Sequence, residues 1–131
     1  MSAASRVREA GARDALKELV RAAVTVADRS DPELVRRLVE STGLSREGVA
    51  FGLERALERA PSEDDLSALL ASVAPAEVVT VVLSANVFTA ALRALCLARA
   101  AAPRVLVRPS RRDPHFARAI VAELADPSIT L

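Results

Sequence analysis

The chain has 131 residues, 51% hydrophobic and 27% charged, a balance that fits one globular domain and excludes a disordered or low-complexity polypeptide. Eighteen Lys and Arg against seventeen Asp and Glu leave a net charge of +1, so no overall field draws the chain to nucleic acid or a membrane surface, and three Phe as the only aromatics offer little for base stacking. The single cysteine, Cys96, allows no internal disulfide. The N-terminus lacks the apolar core of a signal peptide, and no stretch reaches the roughly 20 apolar residues of a membrane span, so a cytoplasmic protein is expected.

Residues 1–75 read as a helical lead-in. Leu16, Leu19, Val20, Ala23, Val24 and Ala27 recur at helical spacing and form one apolar stripe. Ser30 with Glu33 forms a Ser-x-x-Glu capping box for a second helix, with Pro32 in its first turn and Leu34, Val35, Leu38 and Val39 on its buried face. Gly43 is the expected stop, because glycine takes the left-handed conformation cheaply. Ser45 caps a third helix carrying Val49, Leu53, Ala56 and Leu57, which Pro61 ends. Ser62, followed by Glu63, Asp64 and Asp65, begins a fourth. The acids favour the positive end of the helix dipole and read as a helix start, not a metal site. Leu66, Leu69, Leu70 and Val73 point inward there, and Pro75 closes the helical region.

Residues 76–131 change character. Val78 to Leu83 is β-branched and apolar without alternation, the pattern of a parallel strand buried on both faces. Ser84-Ala85-Asn86 interrupts it. An alanine- and leucine-rich helix from Val87 to Ala102 follows, then a second short strand around Val105, Leu106 and Val107. Asp113 is placed to cap a last helix that opens with Pro114 and runs to about Leu124, and Ser128 to Leu131 begin a third strand. The order predicts an α/β chain: a helical segment, then an incomplete Rossmann-like βαβα unit with parallel strands and right-handed crossovers. Two or three parallel strands need more neighbours, so the chain is expected to be cut off partway through a doubly wound domain, or to find its missing sheet in a partner.

Open α/β sheets bind ligands beyond the carboxyl ends of their strands. Two segments fall there: Ser84-Ala85-Asn86-Val87 and Arg108-Pro109-Ser110-Arg111-Arg112. Between Arg104 and Arg118 stand five arginines and one acid, Asp113, and a guanidinium fork near a helix start suits a phosphate. The same arginines could equally form a solvated face, and Asn86 could be a turn residue. Cys96, inside an apolar helix, reads as a buried structural thiol. His115 lacks companion ligands and reads as a surface residue; no metal is expected.

Val81 to Phe88 (Val-Val-Leu-Ser-Ala-Asn-Val-Phe), a hydrophobic helix, and Val105 to Pro114 (Val-Leu-Val-Arg-Pro-Ser-Arg-Arg-Asp-Pro) together resemble the cofactor-binding start of the aldehyde dehydrogenase superfamily. They are nearest the branch of fatty-acyl-CoA reductases that includes the luminescence-associated enzymes. In that branch the pattern is roughly Gly-Asn-Val-Pro, a helix, then Lys-Pro-Ser-Ser-Arg-Asp. The resemblance covers about Ala76 to Leu124. It implies reduction of an acyl-CoA or acyl thioester to an aldehyde with NADPH, and a homodimer. It makes Asn86 the donor to the thioester or hemithioacetal oxyanion, and Arg108, standing where lysine is usual, the contact to the adenosine ribose. Ser84, Pro109 and Ser110 complete the cofactor loops, and Arg111 and Arg112 favour the extra phosphate of NADPH. Ala85 for glycine and Phe88 for proline depart from the pattern. The family's Gly-rich segment, general base and nucleophilic cysteine have no counterpart here, so the chain is expected to be inactive alone and to need a missing catalytic half. The rival readings are a non-catalytic nucleotide-binding or protein-interaction module and, with less support, a nucleic-acid module using the arginine loop.

Overall fold

The computed structural model describes residues 2–85 and 87–131. The chain is α/β, with a mostly helical N-terminal region followed by a three-stranded parallel sheet. The helices are α1 (Ala3–Arg29), α2 (Pro32–Thr42), α3 (Arg46–Phe51), which runs on into a π-helical turn (Gly52–Ala56), and α4 (Glu63–Ala71). Then come β1 (Val78–Val82), α5 (Ala90–Ala101), β2 (Arg104–Arg108), α6 (His115–Leu124) and β3 (Ile129–Thr130). No described helix is long and apolar enough to cross a membrane.

Local chemistry explains most boundaries. Ser2 caps α1 through the Ser5 N–H, and Ser45 caps α3 through the Gly48 N–H. At the start of α4 the capping box is reciprocal: the Ser62 hydroxyl accepts from the Asp65 N–H at 3.0 Å, and the Asp65 carboxylate accepts from the Ser62 N–H at 2.8 Å. Those bonds hold the Asp65 carboxyl below its ordinary range. Glu63 pairs with Arg13 and Lys17 of α1, so the acidic turn ties α4 to α1. Gly43 ends α2 in the left-handed conformation, φ 74°.

Several boundaries differ from the sequence reading. α5 begins at Ala90 and not at Val87, because the chain after β1 first turns through Phe88 and Thr89. Ser30 does not cap α2. It is the left-handed C-cap of α1, φ 47°, with its hydroxyl donating to the Ala27 carbonyl, and Asp31 caps α2 through the Glu33 N–H. An N-cap needs extended backbone, which Ser30 does not have. The third helix does not run to Pro61. The Leu57 N–H bonds to the Gly52 carbonyl in π-type spacing, and the backbone then turns extended at Leu57. Asp113 does not cap α6. Pro114 is the N-cap, without a side-chain bond, and Asp113 accepts a 2.9 Å hydrogen bond from the Ser41 hydroxyl at the end of α2.

The core lies on one side of the sheet. Val105, Val107 and Ile129 face it, with Val79 and Val81 partly covered. Over them pack Leu92 and Leu95 of α5 and Phe116 and Ile120 of α6. α1 packs against α5 and α6 and contributes Leu16, Leu19 and Val26. Each such side chain brings roughly 1.5–3 kcal/mol of burial. The expectation that β1 is buried on both faces is not met: Val78, Thr80 and Val82 alternate with the covered valines and are exposed. The topology accounts for this. Strand order β1-β2-β3 moves across the sheet in one direction, and crossovers of constant hand then place α5 and α6 on the same face.

Candidate functional site

The two segments beyond the strand ends meet at one edge of the sheet. β1 and β2 pair in register from Val78–Arg104 to Val82–Arg108, and the ladder extends by one bond, from the Leu83 N–H to the Arg108 carbonyl at 3.0 Å. Ser84 follows directly after that bond, so the two loops leave the same end of the sheet side by side. Asn86 lies outside the described residues.

Aromatic packing sets the loops from below. Phe88, in the turn after β1, is buried, and its ring meets that of Phe116, in the first turn of α6, edge to face at 5.6 Å and 86°. The outer carbons of the Phe88 ring also rest on Gly52: a Cβ there would sit 2.7 Å from Cζ and 2.9 Å from Cε1. The β1–α5 turn, the α6 start and the π-helical turn thus share one contact. Phe88, read from the sequence only as a departure from a family pattern, is the anchor of this edge. Asp113, buried at 8% exposure, adds a polar tie from the β2–α6 loop to α2.

Above this base the edge is cationic. Arg108, Arg111 and Arg112 are exposed, and among the described residues none is paired with a carboxylate. The Ser110 hydroxyl accepts from the Arg112 N–H at 3.2 Å and curls the loop. α6 begins beside these arginines with no side-chain cap, which leaves first-turn N–H groups available to an anion. The five arginines do not act as one cluster. Arg104 stands at the opposite end of β2, and Arg118 lines a groove between α6 and α2 with His115, Asp31 and Arg37. His115 is partly exposed there, and no metal-binding group of three acids, thiols or imidazoles occurs among the described residues.

A feature not foreseen from the sequence is an apolar cleft of about 620 Å³ between α4, the π-helical turn and α5. Leu66, Leu69, Leu92, Cys96 and Leu97 line it, and Val87 and Thr89 bring it to the turn after β1. Arg93 and Glu58, paired at 2.6 Å, also border it. Apolar positions shared between two helices and a loop carry no periodic signal. Cys96 is buried, and burial pushes its thiol up to about 12, with the Glu58 carboxylate adding to the effect. It is therefore a thiol, not a thiolate, at neutral pH.

That shift has a pH consequence. The unfolded thiol ionises near its ordinary 9.0, whereas the native one keeps its proton to about 12. Between those values the native state binds more protons, so unfolding free energy falls as pH rises through the window. The chain has no tyrosine and one lysine, so few other groups titrate there. Urea midpoints across that range should decline, and Cys96→Ala should flatten the decline; an equal slope in the variant would show that Cys96 is not its source.

The chain matches no known protein-family model, no curated protein and no solved structure.

Proposed function

We propose that this chain is the cofactor-binding N-terminal part of an NADPH-dependent acyl-CoA reductase, inactive alone. The observation that carries the reading is the convergence of Ser84 with Arg108, Pro109, Ser110, Arg111 and Arg112 at the carboxyl edge of a parallel sheet, beside an uncapped helix start. The residues fit a dinucleotide phosphate. Among the described residues Arg108, Arg111 and Arg112 have no carboxylate partner and supply charge, and the uncapped first turn of α6 supplies backbone donors. Arg111 and Arg112 would meet the 2′-phosphate that distinguishes NADPH, Arg108 the adenosine ribose, and Ser84 the facing loop. The bound nucleotide would supply hydride. The part taken by Asn86, donation to a developing oxyanion, rests on the motif resemblance. Such a donor, where present, lowers the barrier by roughly 3–4 kcal/mol. The apolar cleft that reaches Val87 and Thr89 supports an acyl chain as the second ligand, since its volume and lining suit an apolar group. A non-catalytic nucleotide-binding module is favoured by the same arginines if the cleft takes no acyl group.

Calorimetric titration of NADPH and NADH into the purified chain tests the reading. NADPH should bind more tightly than NADH. Arg111→Ala with Arg112→Ala should weaken NADPH about tenfold or more, because a hydrogen bond to a charged group contributes about 1.5–3 kcal/mol. Both substitutions sit on an exposed loop and should leave the circular dichroism spectrum unchanged. Absence of heat with either nucleotide, from a chain that is folded by that criterion, would overturn the cofactor site.

A further inference from the structure

The face of the sheet opposite α5 and α6 is bare. Register places Val78, Thr80 and Val82 of β1 beside Arg104, Leu106 and Arg108 of β2, with Thr130 of β3 beyond Leu106. All seven are exposed; Val82 is 71% accessible, and Val78 and Leu106 are each 41%. Four of the seven are polar, as on a sheet that faces water, but Val78, Val82 and Leu106 form an exposed apolar patch between the two arginines of β2. The described helices do not cover it. One-directional crossovers of constant hand put α5 and α6 on the other face, and α1 packs on those two helices.

Charge narrows what can cover it. Arg104 and Arg108 stand at the two ends of the β2 row with Leu106 between them, no acid shares the face, and among the described residues neither arginine has a carboxylate partner. A second copy laid face to face would bring four guanidinia together with nothing to neutralise them, which selects against self-pairing. Four strand residues span about 13 Å, close to the roughly 11 Å of two helical turns. A helix laid along β2 with acids at i and i+7 and apolar residues at i+3 and i+4 would match both guanidinia and the apolar centre.

We propose that the open face docks an amphipathic helix of another polypeptide, whose apolar stripe covers Val78, Val82 and Leu106 and whose flanking carboxylates meet Arg104 and Arg108. The inference does not rest on the nucleotide reading, although Arg108, at the carboxyl end of β2, borders both surfaces. Its test therefore uses Leu106 and Arg104, which are not among the proposed nucleotide contacts.

The probe is a fluorescein-labelled peptide of about five helical turns, roughly 18 residues, with leucines at the stripe and glutamates at the flanks. Two controls carry lysine at the flanks or a scrambled stripe. By fluorescence anisotropy against the full chain, the acidic peptide should bind at least about tenfold more tightly than either control. Leu106→Asp should remove most of that binding while leaving circular dichroism unchanged, since the side chain is exposed. Arg104→Glu should turn the preference toward the lysine-flanked peptide. Equal binding of the three peptides, or binding indifferent to Leu106→Asp, overturns the proposal. So does a dimer in sedimentation equilibrium that Leu106→Asp dissociates, which would give the face to a second copy. Loss of peptide binding with NADPH binding intact would remove this inference alone.

Discussion

Phe116→Ala is expected to lower the unfolding free energy by about 3–5 kcal/mol, the usual range for deleting a buried aromatic ring. Phe116 is among the largest fully buried side chains, at 1% exposure, and from the first turn of α6 it meets Phe88 of the turn after β1. Domain stabilities are about 5–15 kcal/mol, so the variant should remain folded in the cold and unfold at a much lower urea concentration. Phe116→Leu keeps most of the volume and should cost under about 1.5 kcal/mol. A double-mutant cycle with Phe88→Ala should return a coupling of about 0.5–1.5 kcal/mol, the contribution of an edge-to-face pair beyond area burial. A coupling near zero would mean that the rings fill space independently and that the turn after β1 is not held by α6.

The sequence announced the elements better than their surroundings. Apolar spacing, Ser45, Ser62 and Gly43 mark real helix boundaries, because caps and periodicity act within a few residues. The Ser30–Asp31 pair shows the limit of that locality. Both are good N-caps, and only the backbone conformation, left-handed at Ser30, decides that Asp31 takes the position. The β1 strand shows a different limit. Val78 to Leu83 is largely apolar on both sides, the pattern of a strand covered on both sides. Side-chain character says what a face prefers, and the direction in which strands are added says whether this chain covers it.

The site was legible in part for the same reason. That two loops converge at one sheet edge follows from βαβ topology alone, and the Leu83–Arg108 bond is its local expression. The arginines, contiguous in sequence, separate in space because a strand sends alternate residues to opposite faces and a loop and a helix carry the rest. Arg104 and Arg108 share the open face at opposite ends, Arg111 and Arg112 stay with the loop, and Arg118 leaves on α6. The supports below the loops were not legible. Phe88 against Gly52, and Asp113 against Ser41, are contacts between residues far apart in the chain, and nothing in the neighbouring sequence distinguishes them from an exposed phenylalanine or a helix cap.

Gly52→Ala provides the second large effect, and its sign is what makes it informative. Two terms oppose each other. Replacing a helical glycine with alanine ordinarily stabilises by about 0.5–1 kcal/mol, through the smaller entropy of the unfolded chain. Against this, the new methyl would stand 2.7 Å and 2.9 Å from two carbons of the Phe88 ring, well inside van der Waals contact. The ring is buried and packs edge on against Phe116, so moving it disturbs a packed contact. Overpacking of this kind costs about 1–3 kcal/mol, so the clash should prevail and the urea midpoint should fall. Gly52→Val should be worse, because its branched Cβ is stiff and larger. Phe88→Leu in the Gly52→Ala background should recover part of the loss by vacating the position of the outer ring carbons. A stabilising Gly52→Ala would mean that Phe88 can move away at little cost. The turn that carries the residues after β1 would then be adjustable, and the convergence of the two loops would owe nothing to the π-helical turn beneath them.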